Sequence, residues 1–421
     1  MVVEGFGGLP FRTKLGTILV LAFAVRVVYA MVWSRNAALG FDASSYYELA
    51  KGIATRRRYE ISTPASTTTA LFPPGFPFFL AIGRALGFGT RTKMLLWTAC
   101  LGTMTVALVG LLARRVATPK VGLIAAIIAA VYPNLWLADG AMMTETLTAV
   151  LVVGALMLVI ELRANPRVVV GATLGFVLLW LALTRSDGLI VVVLCCAAVL
   201  SFRAGINAGI VAILIPVVGV GIWQARTQQE MHAFVPIAVN SWTVVAGANC
   251  EAAYYGDRVG TWELPCVKTK EAFTAHNLRG EIAQNRYARD QGIAYARSHL
   301  GRLPVVAVAR LGRAFGAYDP WRELRIESTF EGRSIFWSRV GFVMYLMLVP
   351  LAMFGWRVAR RGGGRNWFVL LIPVVAVTVS VAVGYGNHRF RMPLEPCLVV
   401  FAAMGLDAAL LRRDRARGAV S

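Results

Sequence analysis

Asp42 and Tyr46, in Phe41-Asp42-Ala43-Ser44-Ser45-Tyr46-Tyr47, come directly after the first long apolar segment of the chain. If the stretch is helical, i, i+4 spacing puts a carboxylate and a phenol on one face at a membrane surface. A carboxylate so placed can act as general base toward an acceptor hydroxyl. The plainer reading is a helix N-cap, since Ala43-Ser44-Ser45 can open a helix. Glu145, in Met142-Met143-Thr144-Glu145, falls in the first turns of an apolar helix. A carboxylate at that depth is costly unless it faces a polar cavity or a base, although the positive end of a helix dipole also favours it. Arg185 and Asp187 of Thr184-Arg185-Ser186-Asp187-Gly188 read as site residues or as a snorkelling Arg and an N-cap Asp. Asn387-His388-Arg389-Phe390-Arg391-Met392-Pro393 puts two guanidiniums in a very short loop, and their planar forks suit an anion such as phosphate. Pro73-Pro74-Gly75 signals only a rigid corner.

The elements that must position these residues are apolar helices. Of the 421 residues, 57% are hydrophobic and 15% charged, with a mean hydropathy of +0.62. Such a chain is a polytopic, all-α membrane protein. Its net charge of +21 carries no nucleic-acid motif. Arginines concentrated in short loops between apolar runs are topology signals that also attract anionic lipid. Spanning windows fall near 14–33, 92–113, 119–137, 141–161, 167–184, 188–202, 206–223, 335–356, 366–385 and 393–411. The first is read as a retained span, not a cleaved leader. The Pro-rich run 73–88 reads as a re-entrant or interfacial helix.

The positive-inside rule orients the spans. With Arg12 and Lys14 cytoplasmic, the inner loops hold Arg114, Arg115, Lys120, Arg163, Arg167, Arg203, Arg357, Arg360, Arg361 and Arg365, and the tail holds Arg412, Arg413, Arg415 and Arg417. Loop 134–140 has no Lys or Arg. Arg56, Arg57 and Arg58, in the first outer loop, run against the bias. This topology brings Asp42, Glu145, Arg185, Asp187, His388, Arg389 and Arg391 to the outer face. Three regions follow: an N-terminal transmembrane module 1–223 whose first outer loop (34–91) is catalytic, an extracytoplasmic region 224–334, and C-terminal spans with a basic tail, 335–421.

Cys250 and Cys266 lie in that hydrophilic region, and outside the cytoplasm a pair this close forms a disulfide. Closing such a loop would contribute about 3 kcal/mol in the chain-entropy treatment. Residues 281–300 read as a polar helix and 303–316 as an amphipathic one carrying Arg310 and Arg313, both suited to resting on lipid headgroups. The sequence has no metal-ligand spacing, so no metal or other cofactor is expected.

Taken together, the motifs resemble the GT-C membrane glycosyltransferases. The resemblance rests on Asp42 with Tyr46, Pro73-Pro74-Gly75-Phe76-Pro77, Thr144-Glu145, Arg185-Ser186-Asp187-Gly188 and His388-Arg389-Phe390-Arg391-Met392-Pro393, spread over most of residues 10–412. It is nearest to the branch of protein O-mannosyltransferases and lipid A aminoarabinose transferases. It implies a GT-C fold of about 10–11 transmembrane helices, with interfacial helices in the first outer loop and a small extracytoplasmic segment. It also implies sugar transfer from a polyprenyl-phosphate carrier. By resemblance Asp42 matches the catalytic Asp, Tyr46 a Tyr near the carrier phosphate, and the cluster at Arg389 the phosphate ligands. Phe72 stands where aminoarabinose transferases have Lys, and Ala43 where mannosyltransferases have a second acid, so neither acceptor carries over. The phosphate ligands are then expected among Tyr46, Arg185, His388, Arg389 and Arg391, with Glu145 and Asp187 as acceptor or cavity carboxylates.

The reading is an inverting hexosyl- or pentosyltransferase of the bacterial inner membrane. It would act on the outer side on a glycolipid, glycan or protein of the envelope, with membrane lipids and the lipid-linked donor as partners and no nucleic acid. A transporter or flippase of a lipid-linked or anionic substrate is the alternative, although its repeated halves and midplane charges are not evident. A membrane acyl- or phosphotransferase would favour a His-centred site, for which only His388 is near.

Overall fold

The structure is a computed structural model that describes residues 9–61, 67–201, 205–267, 270–363 and 366–418. Arg203 and Arg365, counted above among the inner-loop cations, lie outside the described residues. Nineteen α-helices are found among those described, with one two-stranded antiparallel ribbon pairing Glu60 with Thr68 and Ile61 with Thr67.

Each apolar window folds as a helix, because in hydrocarbon every backbone N–H and C=O must find its partner within the segment. Five helices are long and apolar enough to cross a membrane: Phe11–Asn36, Arg91–Val116, Thr144–Ala164, Ile206–Met231 and Ile335–Arg361. Pro119–Val131, Val168–Thr184, Gly188–Ser201 and Trp367–Val383 are shorter apolar helices, and Glu395–Gly418 is the last helix of the bundle. The helix opened by Ile206 continues to Met231, so the expected boundary at 223 falls inside it. Gly75–Ala85 has only 11 residues, about 16 Å of helix and too short to span.

Small residues let the spans approach. A Cβ at Gly355 would lie 1.8 Å from the Phe401 carbonyl oxygen, and one at Gly405 would lie 2.2 Å from that of Leu351. Ile335–Arg361 and Glu395–Gly418 therefore pack backbone to backbone. At one end of the bundle Lys120 pairs with Asp407 at 2.8 Å and Arg115 pairs with Glu161.

At the other end lie the helix Phe41–Arg56, packed on Gly75–Ala85, and the hydrophilic region. Cys250 and Cys266 form a disulfide there, with Cα atoms 6.4 Å apart. Glu281–Ser298 is a helix, as expected, and packs on Asn240–Ala248. The amphipathic helix Leu303–Ala314 also forms, but it is turned the other way from the sequence expectation. Arg310 and Arg313 are buried, whereas Val305 and Val308 are exposed. Arg310 donates to the carbonyls of Ala248, Ala382 and Val383, and Arg313 donates to those of Val259 and Asp257 and to Glu323. Two guanidiniums that satisfy carbonyls at helix ends are internal fasteners, not headgroup ligands.

Candidate functional site

Helix Phe41–Arg56 starts at Gly40, and Asp42 in its first turn makes no capping hydrogen bond, so the N-cap reading of Asp42 is set aside. Gly40 is needed for contact: a Cβ there would lie 2.2 Å from the Phe330 carbonyl oxygen. This close fit lays the end of helix Pro320–Glu331 over the first turn that carries Asp42.

Asp42 meets Arg389 across 347 residues of sequence, Oδ2 to Nη2 at 3.4 Å. The Arg389 guanidinium also reaches Glu331 Oε1 at 2.7 Å and Glu145 Oε1 at 3.2 Å. Its backbone N–H donates to Glu327 Oε1 and Asn387 Oδ1. Glu145, nearly fully buried, lies 3.2 Å from Arg185 Nη1 as well, so one carboxylate bridges two guanidiniums. Arg185 follows the helix Val168–Thr184 in extended backbone and grips Asp187 with two parallel bonds of 2.9 and 3.1 Å. Both guanidiniums lie over the Phe390 ring, 5.4 Å from its centroid for Arg185 and 5.8 Å for Arg389. Asp42, Glu145, Arg185, Asp187 and Arg389 therefore form one cluster.

Tyr46 is buried one turn beyond Asp42 and packs edge-on against Phe72 and Phe76, ring centroids 4.9 and 5.3 Å away. Phe72 thus serves as a wall for Tyr46.

His388 and Arg391 face a chamber that Glu145 and Arg389 of this cluster also line and that Asp42 does not reach. His388 stacks on Phe342 at 5.4 Å, and both its ring nitrogens are buried with no hydrogen-bond partner. Arg391 sits 3.3 Å from Glu395 Oε1 and over the Tyr345 ring at 3.8 Å, while Glu395 accepts bonds from Tyr132 and Asn134. His388, Arg391, Glu395, Phe342 and Asn134 line, with Arg389, this small chamber of about 30 Å³, room for roughly two waters. In the 3-10 turn His388–Arg391 residues three apart share a side, so His388 and Arg391 face one chamber, which Arg389 and Glu145 also line and Asp42 does not; the expected common pocket therefore reaches Asp42 only through Arg389.

Burial raises the carboxyl pKa of Asp42 above the usual range, with Arg389 opposing it. Burial also works against the charge on Arg389 and Arg185, but the surrounding carboxylates outweigh it and both stay cationic. His388 is held well below its ordinary value, chiefly by burial and then by Arg391. It is neutral near pH 7 and offers an anion one N–H at most.

Sequence reasoning missed Glu331, Glu327 and Arg333, which bring the hydrophilic region into the site; Arg333 Nε lies 2.7 Å from Glu331 Oε2. Nothing distinguishes these residues from any polar helix end. It also missed Tyr385, whose ring meets Phe390 edge-on at 4.7 Å and whose hydroxyl is pushed up to about 12 by burial. Among the described residues no group of three or more His, Cys, Asp or Glu side chains is placed to hold a metal ion.

The all-helical bundle, with five helices among the described residues long and apolar enough to cross a membrane, has a fold similar to that of solved lipid-dependent membrane glycosyltransferases of the GT-C type. The chain superposes on the oligosaccharyltransferase of Archaeoglobus fulgidus in its apo form with a TM-score of 0.54 and 13% identity, covering 96% of this chain and 51% of that one. For the archaeal oligosaccharyltransferase AglB of the same organism, in complex with an inhibitory peptide and a dolichol-phosphate, the TM-score is 0.52 at 12% identity, with the same coverage. A weaker likeness, TM-score 0.43 at 16% identity over 92% of this chain and 77% of the other, is to ArnT from Cupriavidus metallidurans bound to undecaprenyl phosphate. The chain spans about half the length of the oligosaccharyltransferases it matches. No family model and no curated protein matches the sequence.

Proposed function

We propose that this protein is an inverting glycosyltransferase that moves a sugar from a polyprenyl-phosphate carrier to a hydroxyl of a cell-envelope acceptor, in the bacterial inner membrane and on its outer side. The observation that carries this reading is the contact between Asp42 and Arg389, a carboxylate and a guanidinium from opposite ends of the chain that are both partly exposed. In the reaction Asp42 takes the acceptor proton as the acceptor oxygen attacks the anomeric carbon. The bond from that carbon to the phosphate oxygen breaks, and the charge left on the phosphate is met by Arg389, with Arg185 beside it. One base and one cationic leaving-group site suffice. The paired carboxylates of a retaining mechanism are not required, and no metal is assigned to the step. The dolichol-phosphate named with one of the structural neighbours agrees with such a donor. Glu145, which bridges the two guanidiniums, and Asp187, which grips Arg185, are given the part of holding them in place.

The test is transfer from a radiolabelled polyprenyl-phosphate sugar by purified protein. Asp42→Asn is expected to lower the rate by about 10²–10⁴-fold while donor binding persists. Equal rates for the two proteins would remove Asp42 as base. Carrier flux without a covalent product would replace the transferase reading with a transporter.

A further inference from the structure

The first outer loop and its flanks are unusually basic. Residues 34–93 hold Arg35, Lys51, Arg56, Arg57, Arg58, Arg84, Arg91 and Lys93 against Asp42, Glu48 and Glu60, a net +5 from eight cations and three acids. The transferase chemistry uses none of these cations, and topology signals collect at the opposite end of the bundle. Several have internal partners. Arg91 donates to the carbonyls of Ser34 and Ala37, Arg84 donates to that of Gly89, and Arg56 pairs with Glu60 at 3.2 Å. Arg57 and Arg58 are exposed and have no ion-pair partner among the described residues.

Their surroundings place them at the edge of a bilayer. Phe78, Ile82 and Leu86, at i, i+4 and i+8 on one face of the short apolar helix, are all exposed. On a chain with spanning helices, a stripe of that kind fits a face laid against lipid. Phe78 stacks on Tyr59, 6.5 Å between centroids, and Tyr59 directly follows Arg58. Tyr59 in turn packs edge-on against Trp223 at 5.3 Å, and the Arg226 guanidinium lies over both rings. Tyr59 and Trp223 are buried and donate to the carbonyls of Phe72 and Ile237, so they fix the base of the stripe beside Arg57 and Arg58. Arg57 adds a conformational sign: it closes the helix in the left-handed region, φ 56°, where a glycine would be unstrained.

We propose that Arg57 and Arg58 form a binding site for the phosphate of an anionic phospholipid headgroup in the leaflet that the candidate active site faces. The two forks grip the headgroup phosphate while its acyl chains lie along the Phe78, Ile82 and Leu86 stripe.

The protein, reconstituted in nanodiscs of phosphatidylcholine mixed with phosphatidylglycerol, is extracted and the co-purified lipid measured by mass spectrometry. Arg57→Gly with Arg58→Gln removes both charges and leaves the backbone at 57 relaxed. The Arg357→Gln, Arg360→Gln double variant, at the other end of the bundle, serves as control. Each neutralised guanidinium is expected to lower phosphatidylglycerol retention about fivefold, roughly 25-fold for the pair, with retention by the control nearly unchanged. Equal retention by the Arg57, Arg58 variant and the wild type would overturn the site. Displacement of the lipid by inorganic phosphate alone would overturn it as well, since a general anion site does not need the acyl chains. A thermal-unfolding midpoint shared with the wild type shows that the variant is folded. Arg57→Lys with Arg58→Lys keeps both charges and is expected to retain the lipid, which separates charge from packing.

Discussion

At the scale of single residues, the site turns on Arg389, which meets three carboxylates at once: Asp42, Glu145 and Glu331. A phosphate arriving there must displace at least one of them, and Asp42 makes the longest of the three contacts, 3.4 Å, with 31% of its side chain exposed. The acid that yields most readily is thus the one assigned to take the proton. Its pKa direction supplies a second test. Burial raises it, so the ionised base is lost on acidification at a pH above that of an ordinary Asp, near 3.9. The acid limb of kcat/KM against pH is therefore expected above that value and is expected to vanish in Asp42→Asn. A limb at the ordinary value would mean that the titrating base lies elsewhere. His388 shows what residue type alone does not convey. In sequence it stands beside Arg389 and looks like a cation, but in the fold it is buried, neutral and faces the chamber that Asp42 does not reach.

At the scale of elements, the spans were legible because uninterrupted apolar windows have no alternative in lipid but to be helices. Their partners across the bundle were not. Arg26, inside the first span, is buried and pairs with Asp139 Oδ2 at 2.9 Å, while Asp139 accepts from Thr146 at 2.8 Å on the helix that carries Glu145. An arginine within an apolar window announces that a partner exists, but sequence spacing does not identify it. This tie fixes the start of Thr144–Ala164 against the first span. Asp139→Leu, which strands Arg26, is expected to cost about 3–5 kcal/mol, and the double change with Arg26→Met is expected to recover most of that. Unfolding midpoints in detergent would decide, and additive losses would show that the two residues do not act as a pair. The helix Leu303–Ala314 was legible as amphipathic but not in its orientation. Periodicity shows that two faces differ, and only the waiting carbonyls of 248, 259, 382 and 383 turn the arginines inward.

At the scale of the whole molecule, the hydrophilic region belongs to the site, contrary to its appearance in sequence as a separate loop. Thr69 and the Ala70 N–H both donate to Glu281, while Val239 and Asn240 donate to the carbonyls of Ala70 and Leu71. The first loop and the region after 231 are therefore one structure. The disulfide stabilises that structure from within. Cys250→Ser, Cys266→Ser is expected to lower its stability by about 3 kcal/mol. Limited proteolysis of the wild type and the variant would measure this, and identical cleavage rates would count against it.

The four side chains that meet at the Arg389 hub come from positions 42, 145, 331 and 389. The cluster can therefore close only after the ribosome has delivered the final span to the translocon. A half-inserted chain holds Asp42 without Arg389 beside it, so the pairing on which the proposed transfer rests is assembled last.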